Sequence, residues 1–305
     1  MTSTASILPG DLVSAAWLAE HLDDPQLCVV DIRGYVRAED LGGGRQKASY
    51  AGAREEYDAG HIPGATFVDW TRDIVDPEAD VKAQLARADR FAAQMEAIGV
   101  GDDTDVVVVD HKDSHTAARL WWALRFYGHE RVAILDGGYK AWTDAGLPLT
   151  AELPTIPAVT FTPREVPSLA TDRAQVIELL DAAGTTQLLD ARPAGQYSGE
   201  VQRGSRGGHI PGAVNLPAAS LLDADGHWKT PEEIRAIAEA AGVDLEAPVV
   251  AYCNGGVTAT QLLFGLQRAG AQTISNYDGS WNEWGERPEL PIEGNRDLFN
   301  QADAE

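Results

Sequence analysis

Short aliphatic runs recur along the chain with charge only near their ends: CVVDIR (28–33), DVVVVD (105–110), LLDAR (188–192) and APVVAYC (247–253). Such runs are the pattern of strands buried on both faces of a parallel sheet. Between them, DRFAAQMEAIGV, ARLWWALRFYG, PEEIRAIAEAAGV and TATQLLFGLQRAG place apolar residues three and four apart, which predicts amphipathic helices. Strands alternating with helices predict an α/β layered architecture, a mainly parallel sheet with helices on both faces.

The phrases come in two sets with the same order. CVVDIR, YDAGHIPGA, DVVVVD and LDGGYKAW in the first half answer to LLDAR, RGGHIPGAVN, APVVAYC and YDGSWNEW in the second. Self-similarity on this scale means two tandem copies of one domain. The proline-containing stretch AELPTIPAVTFTPREVPS has no helical period and reads as an extended linker. The expected organisation is a first domain over residues 1–150, a linker over 151–168 and a second domain over 169–305.

Charge narrows the partners. With 24 basic against 47 acidic residues the formal net charge is -23, which opposes association with nucleic acid or an anionic membrane face. The N-terminus carries no basic segment followed by an apolar one, and no run approaches a membrane span, so a cytoplasmic protein is expected. Cys28 and Cys253 are the two cysteines; they fall in different domains and cannot form a disulfide framework.

The two thiols have unlike settings. Cys28 lies at the start of CVVDIR, inside a strand, and reads as core. Cys253 ends a strand and precedes Asn254, Gly255, Gly256, Val257 and Thr258, where a helix is expected to begin. Ligands of open α/β sheets bind at the carboxyl ends of strands, and glycines let consecutive N–H groups converge on one point at a helix N-terminus. That setting favours a thiolate, the nucleophilic form of cysteine.

Cys253-Asn-Gly-Gly-Val-Thr-Ala, two copies of Gly-His-Ile-Pro-Gly-Ala and DGSWNEW together closely resemble the two-domain rhodanese family of sulfurtransferases, over nearly the whole chain. The resemblance implies a catalytic second domain and a first domain without a nucleophile, Asp110 standing where Cys253 stands in the repeat. It implies a persulfide on Cys253 cradled by the N–H groups of Asn254 to Thr258, with no cofactor and no metal. The sulfur donor would be a small anion, thiosulfate or 3-mercaptopyruvate, and the acceptor cyanide or a thiol, such as that of a thioredoxin-like protein. Fixed cations should face the cysteine; Arg192 and Arg119 match family positions, while Arg203 and Arg206 lie in a loop that varies. The loop has neither basic residue nor serine, and the missing serine leans the donor toward thiosulfate, with 3-mercaptopyruvate close behind.

Other readings carry less. Cysteine phosphatases need an arginine where Ala259 stands, and a redox or sulfur-relay module would use Cys253 without turnover. Asp110, His111, Asp113 and His115 have permissive metal spacing, yet their place opposite the cysteine loop reads as a degenerate pocket. His61 and His209 occur in both domains and read as structural turn residues. Trp142 and Trp284 read as packing anchors, and Asp278 and Trp281 as the pocket rim. The insertion around Gly42, Gly43 and Gly44 lacks the Gly-Lys-Ser/Thr of a phosphate loop and reads as a surface loop near the domain interface.

Overall fold

Alternate residues of the central strands face different cores. Val106 and Val108 point to one apolar cluster and Val107 and Val109 to another; Val249 and Ala251 are likewise separated from Val250 and Tyr252. A strand buried on both faces has no polar side to show, which is why these segments lack the alternation of a half-exposed strand. The computed structural model describes residues 5–182 and 184–294; residues 1–4 and 295–305, at the outer ends of the two expected domains, and Ala183 lie outside the described residues.

The first domain contains β1 (Leu12–Val13), β2 (Leu27–Asp31), β3 (Gly34–Gly42), β4 (Arg45–Gly52), β5 (Thr66–Phe67), β6 (Asp105–Val109) and β7 (Val132–Leu135). Its helices are α1 (Ala15–His21), α2 (Arg54–Ala59), α3 (Ala88–Ala97), α4 (His115–Phe126) and α5 (Gly138–Asp144). Residues 151–166 carry neither helix nor strand. The second domain contains β8 (Ala170–Thr171), β9 (Gln187–Asp190), β10 (Val214–Asn215), β11 (Val249–Tyr252) and β12 (Ile274–Tyr277), with α6 (Arg173–Asp181), α7 (Ala194–Ser198), α8 (Pro231–Ala240), α9 (Val257–Arg268) and α10 (Ser280–Trp284).

The sheets run β1-β7-β6-β2-β5 and β8-β12-β11-β9-β10, strand for strand the same order, with every neighbouring pair parallel. The central strand of each, β6 or β11, is followed directly by Asp110 or by Cys253. Two copies of one α/β domain with helices on both sheet faces are therefore present.

One apolar cluster runs through both domains, so the interface is a shared core. α4 and α9 meet across it, with Trp121 edge-on to Phe264 at 5.0 Å between ring centroids, and Arg125 bonded to Gln267. The seam repeats itself in each direction. Asp136, after β7, accepts from the Trp228 N–H of the second domain at 3.0 Å; Asp278, after β12, accepts from the Leu85 N–H of the first at 2.8 Å.

The insertion after β2 is an antiparallel hairpin, β3 with β4, instead of a surface loop. Gly42, Gly43 and Gly44 all take positive φ at its turn, a conformation costly for residues with a Cβ. The turn reaches the second domain, where the Gln202 N–H donates to Gly44 O at 2.8 Å and the Gln46 N–H to Gln202 O at 2.9 Å. Trp121→Ala, which removes the ring packed on Phe264, should cost about 3–5 kcal/mol of stability, measured by urea unfolding.

Candidate active site

Cys253 follows the last residue of β11, and its loop turns into α9 at Gly256. Gly256 is left-handed, with φ of 71°, and a Cβ there would lie 2.5 Å from Asp278 Oδ1, so glycine is required on two counts. Gly255 is not left-handed; there a Cβ would meet Asn282 Nδ2 at 2.9 Å. A second segment is laced to the loop, because the Trp281 and Asn282 N–H groups donate to Cys253 O and Asn254 O at 3.0 and 2.8 Å.

Ser280 is the residue that sequence reasoning missed. Its hydroxyl accepts from the Cys253 N–H at 3.1 Å and the Gly256 N–H at 3.0 Å while donating to Tyr277 O. This corrects the cradle expected from Asn254 to Thr258: the Gly256 amide is turned to Ser280 and away from the cavity. Cys253, Asn254, Gly255, Val257 and Thr258 line the cavity. Ser280 holds φ of 50°, left-handed for a non-glycine residue, where the first repeat has Gly138 at 57°. Such strain persists where the surroundings over-determine it, here by three hydrogen bonds. The pairing of DGG with DGS was the signal available in the sequence.

The cavity, of about 390 Å³, lies between the domains. The expected cations distribute unevenly around it. Arg119 does cross the interface, but its guanidinium is spent on Asp278, Ala83 O and Gly256 O, it is 1 % exposed, and it is absent from the cavity wall. The assignment of Arg119 to substrate is thus corrected to an interdomain clamp. Arg192 lines the cavity, yet Asp190 binds it through Nε and Nη2 and Gly208 O takes Nη2 as well. Arg33 makes the same pattern with Asp31 and Gly60 O in the domain lacking a nucleophile, which assigns that pairing to the fold.

Arg203 lines the cavity and, among the described residues, is held by Gln46 Oε1 on Nε at 3.0 Å with no carboxylate partner. Arg206 is elsewhere, donating to carbonyls of Trp284, Gly285, Arg287 and Leu290. The hairpin adds Val36 and Tyr50 to the wall. Burial, then the charge of Cys253 across the shared cavity, raises the Tyr50 phenol above its ordinary pKa. Asp278 and Trp281, expected at the rim, lie outside the lining: Trp281 Nε1 donates to Arg206 O.

Asp113 and His115 also line this cavity, so the segment read as a degenerate pocket forms part of the site wall. Asp113 Oδ1 is 2.7 Å from His115 Nδ1. Burial and the N-terminal end of α4 both disfavour a charged ring there, the helix end by about 0.3–1 kcal/mol. A charge-assisted hydrogen bond contributes about 1.5–3 kcal/mol, and with the Asp110 charge it outweighs them; the His115 pKa is raised. The ligand atoms of Asp110, Asp113 and His115 lie within 4.8 Å of one another. Asp110 is turned inward, however, accepting from the Ser114 and Ala117 N–H groups and the Thr116 hydroxyl, and burial with the Asp113 charge raises its carboxyl to about 6. His61 and His209 each stack on a tyrosine, Tyr57 and Tyr197, and bond its carbonyl at 2.8 Å.

Comparison with known proteins agrees with this architecture. The profile of the rhodanese-like domain matches residues 14–145 and 172–287. The chain is 36% identical over 284 residues to 3-mercaptopyruvate sulfurtransferase of Escherichia coli K12, covering 92% of this chain and 97% of that one. It is 37% identical over 283 residues to thiosulfate sulfurtransferase of Bos taurus, covering 90% and 91%. The crystal structure of the Escherichia coli 3-mercaptopyruvate sulfotransferase SseA superposes with a TM-score of 0.77 at 35% identity, covering 89% of this chain and 98% of that one. A tandem of two α/β domains with one cysteine loop at their interface is thereby placed among the transferases of sulfur. The chain belongs to the rhodanese family.

Two measurements check these assignments. Removing Arg119 leaves the partly buried Asp278 carboxylate without its cation, so Arg119→Met should cost up to about 3 kcal/mol, less than a fully buried pair, with part regained in Arg119→Met with Asp278→Asn. Burial pushes the Cys28 thiol up to about 11. Iodoacetamide in mildly alkaline buffer should therefore label Cys253 in the native protein and Cys28 only after unfolding, as read by peptide mass.

Proposed function

We propose that this sulfurtransferase takes the thiol sulfur of 3-mercaptopyruvate onto Cys253 as a persulfide and passes it to a thiophile. The observation that carries the donor is the cation count: Arg119 and Arg192 are neutralised by Asp278 and Asp190, leaving Arg203 as the cavity arginine without a carboxylate. One guanidinium matches the single carboxylate of 3-mercaptopyruvate, which its fork can grip through two parallel bonds. Thiosulfate carries a second negative charge, and near the thiolate that charge costs about 4 kcal/mol at 4 Å in a surface-like dielectric. Thiosulfate remains the second reading, supported by the absence of a serine among Asn254, Gly255 and Gly256.

In this scheme the Cys253 thiolate attacks the donor sulfur and the C–S bond breaks with its electron pair going to carbon. The persulfide then lies at the N-terminus of α9, whose dipole and loop amides favour the negative charge that returns to Cys253 as the outer sulfur leaves. An acceptor attacks the outer sulfur and regenerates the thiolate, so one difficult transfer becomes two displacements.

Thiocyanate release from cyanide, measured with both donors, tests this. 3-Mercaptopyruvate should exceed thiosulfate in kcat/KM by tenfold or more, Cys253→Ser should abolish turnover with either, and Arg203→Ala should raise the donor KM at least tenfold. A preference for thiosulfate would overturn the donor assignment; no turnover with either donor would favour a relay module over an enzyme.

A further inference from the structure

One ionisable pair in the cavity takes no part in that scheme. Asp113 and His115 share the cavity wall with Cys253 although they come from the other domain. An ionised carboxylate only accepts hydrogen bonds, so Asp113 keeps the ring proton on Nδ1 and leaves Nε2 as the atom that gains or loses one. Nε2 is buried and has no hydrogen-bond partner among the described residues. An imidazole oriented by a carboxylate on one nitrogen and open at the other is how a base is presented to a hydroxyl or thiol nucleophile. Asp113 is itself held in register by the second domain, since Gln261 Nε2 donates to its carbonyl at 2.7 Å.

We infer that His115, oriented by Asp113, is the general base for a thiol acceptor, its Nε2 taking the proton as the acceptor sulfur attacks the outer sulfur of the Cys253 persulfide. This rests on the persulfide proposed above. The step balances: Cys253–S–SH, R–SH and neutral His115 give the Cys253 thiolate, R–S–SH and the imidazolium. The bond between the two sulfurs of the persulfide breaks, its pair returns to Cys253, and the acceptor sulfur is oxidised to a persulfide. The ring proton is then available to the enolate released from the next donor. Asp113 and Asp110 face the ring from its own segment; Cys253, Arg192 and Arg203 stand on the second-domain wall and Tyr50 on the hairpin. Burial opposes a charged ring, but the two carboxylates outweigh it and raise the His115 pKa, which favours the imidazolium that holds this proton.

Cyanide brings no proton to remove, which provides the test. Persulfide is loaded on Cys253 with whichever donor the wild type accepts, verified as the gain of one sulfur by intact mass, and discharged in single turnovers by cyanide and by 2-mercaptoethanol. In His115→Gln the ratio of thiol to cyanide discharge should fall tenfold or more, within the range general bases supply. The neutral ring is the active form, so thiol discharge rises with pH through the His115 pKa; Asp113→Asn removes a group that raises it, and the rise should move to lower pH. Asp113 is a positioning residue, and a merely structural role would not move that profile. An unchanged ratio in His115→Gln with an unmoved profile in Asp113→Asn would overturn the inference while leaving the persulfide reading intact. Failure to load sulfur on Cys253 would overturn both. Should His115→Gln not fold, the Asp113→Asn profile decides alone.

Discussion

Asp278 is the carboxylate on which the geometry of the site depends. It accepts from Arg119 and from the Leu85 N–H, both in the first domain, and its own atoms fill the space that a side chain at Gly256 in the second would need. The loop of Cys253 is therefore shaped from across the interface. Arg119 also bonds Gly256 O, so the residue that caps α9 is gripped on one face and wedged on another. A buried ion pair is weak evidence for stability, because desolvation offsets most of the attraction. Its value here is in register: the cavity is bounded by both domains, and a small slip between them would separate its two walls.

The duplicated domain shows what happens to a nucleophile's cradle when the nucleophile is gone. Asp110 replaces Cys253 at the strand end, and its carboxylate takes the hydrogen bonds of the turn that follows, from Ser114, Thr116 and Ala117. An internal carboxyl thus occupies the place of the nucleophile, and the following helix still begins from a left-handed residue, Ser114 at φ of 57° against Gly256 at 71°. The turn keeps its form while its chemistry is extinguished. Released from that duty, the neighbouring Asp113 and His115 face outward into the cavity of the other copy.

Much of this was legible in the sequence because it rests on local pattern. Strands buried on both faces are uniformly aliphatic, and a strand ending in cysteine before paired glycines has few structural meanings. The α/β class, the repeat and the position of Cys253 all follow from such short-range features. What was not legible depends on pairing at a distance. Whether Arg119 meets substrate or Asp278, 159 positions away, cannot be read from either residue's neighbours. The hairpin was missed because β3 is mostly exposed, β4 is half-buried without an aliphatic run, and Tyr50 and Val36 line a cavity that the second domain completes.

The repeat itself separates charges that hold the fold from those that do chemistry. Burying a cation is tolerable only with a partner, and both domains solve that problem alike, Arg33 with Asp31 and Arg192 with Asp190. Tyr57 with His61 and Tyr197 with His209 are a second duplicated solution, and the indoles of Trp142 and Trp284, each donating to the carbonyl of a following proline, are a third. A feature required by the domain must recur in both copies, since both have the same sheet to build. Arg203, Tyr50, His115 and Ser280 break the symmetry: in the repeat His115 answers to Val257 and Ser280 to Gly138, while Arg203 and Tyr50 lie in segments that do not align. Three of the four line the cavity with Cys253 and the fourth holds its loop, so the departures from symmetry converge on one place that the domain fold alone does not require.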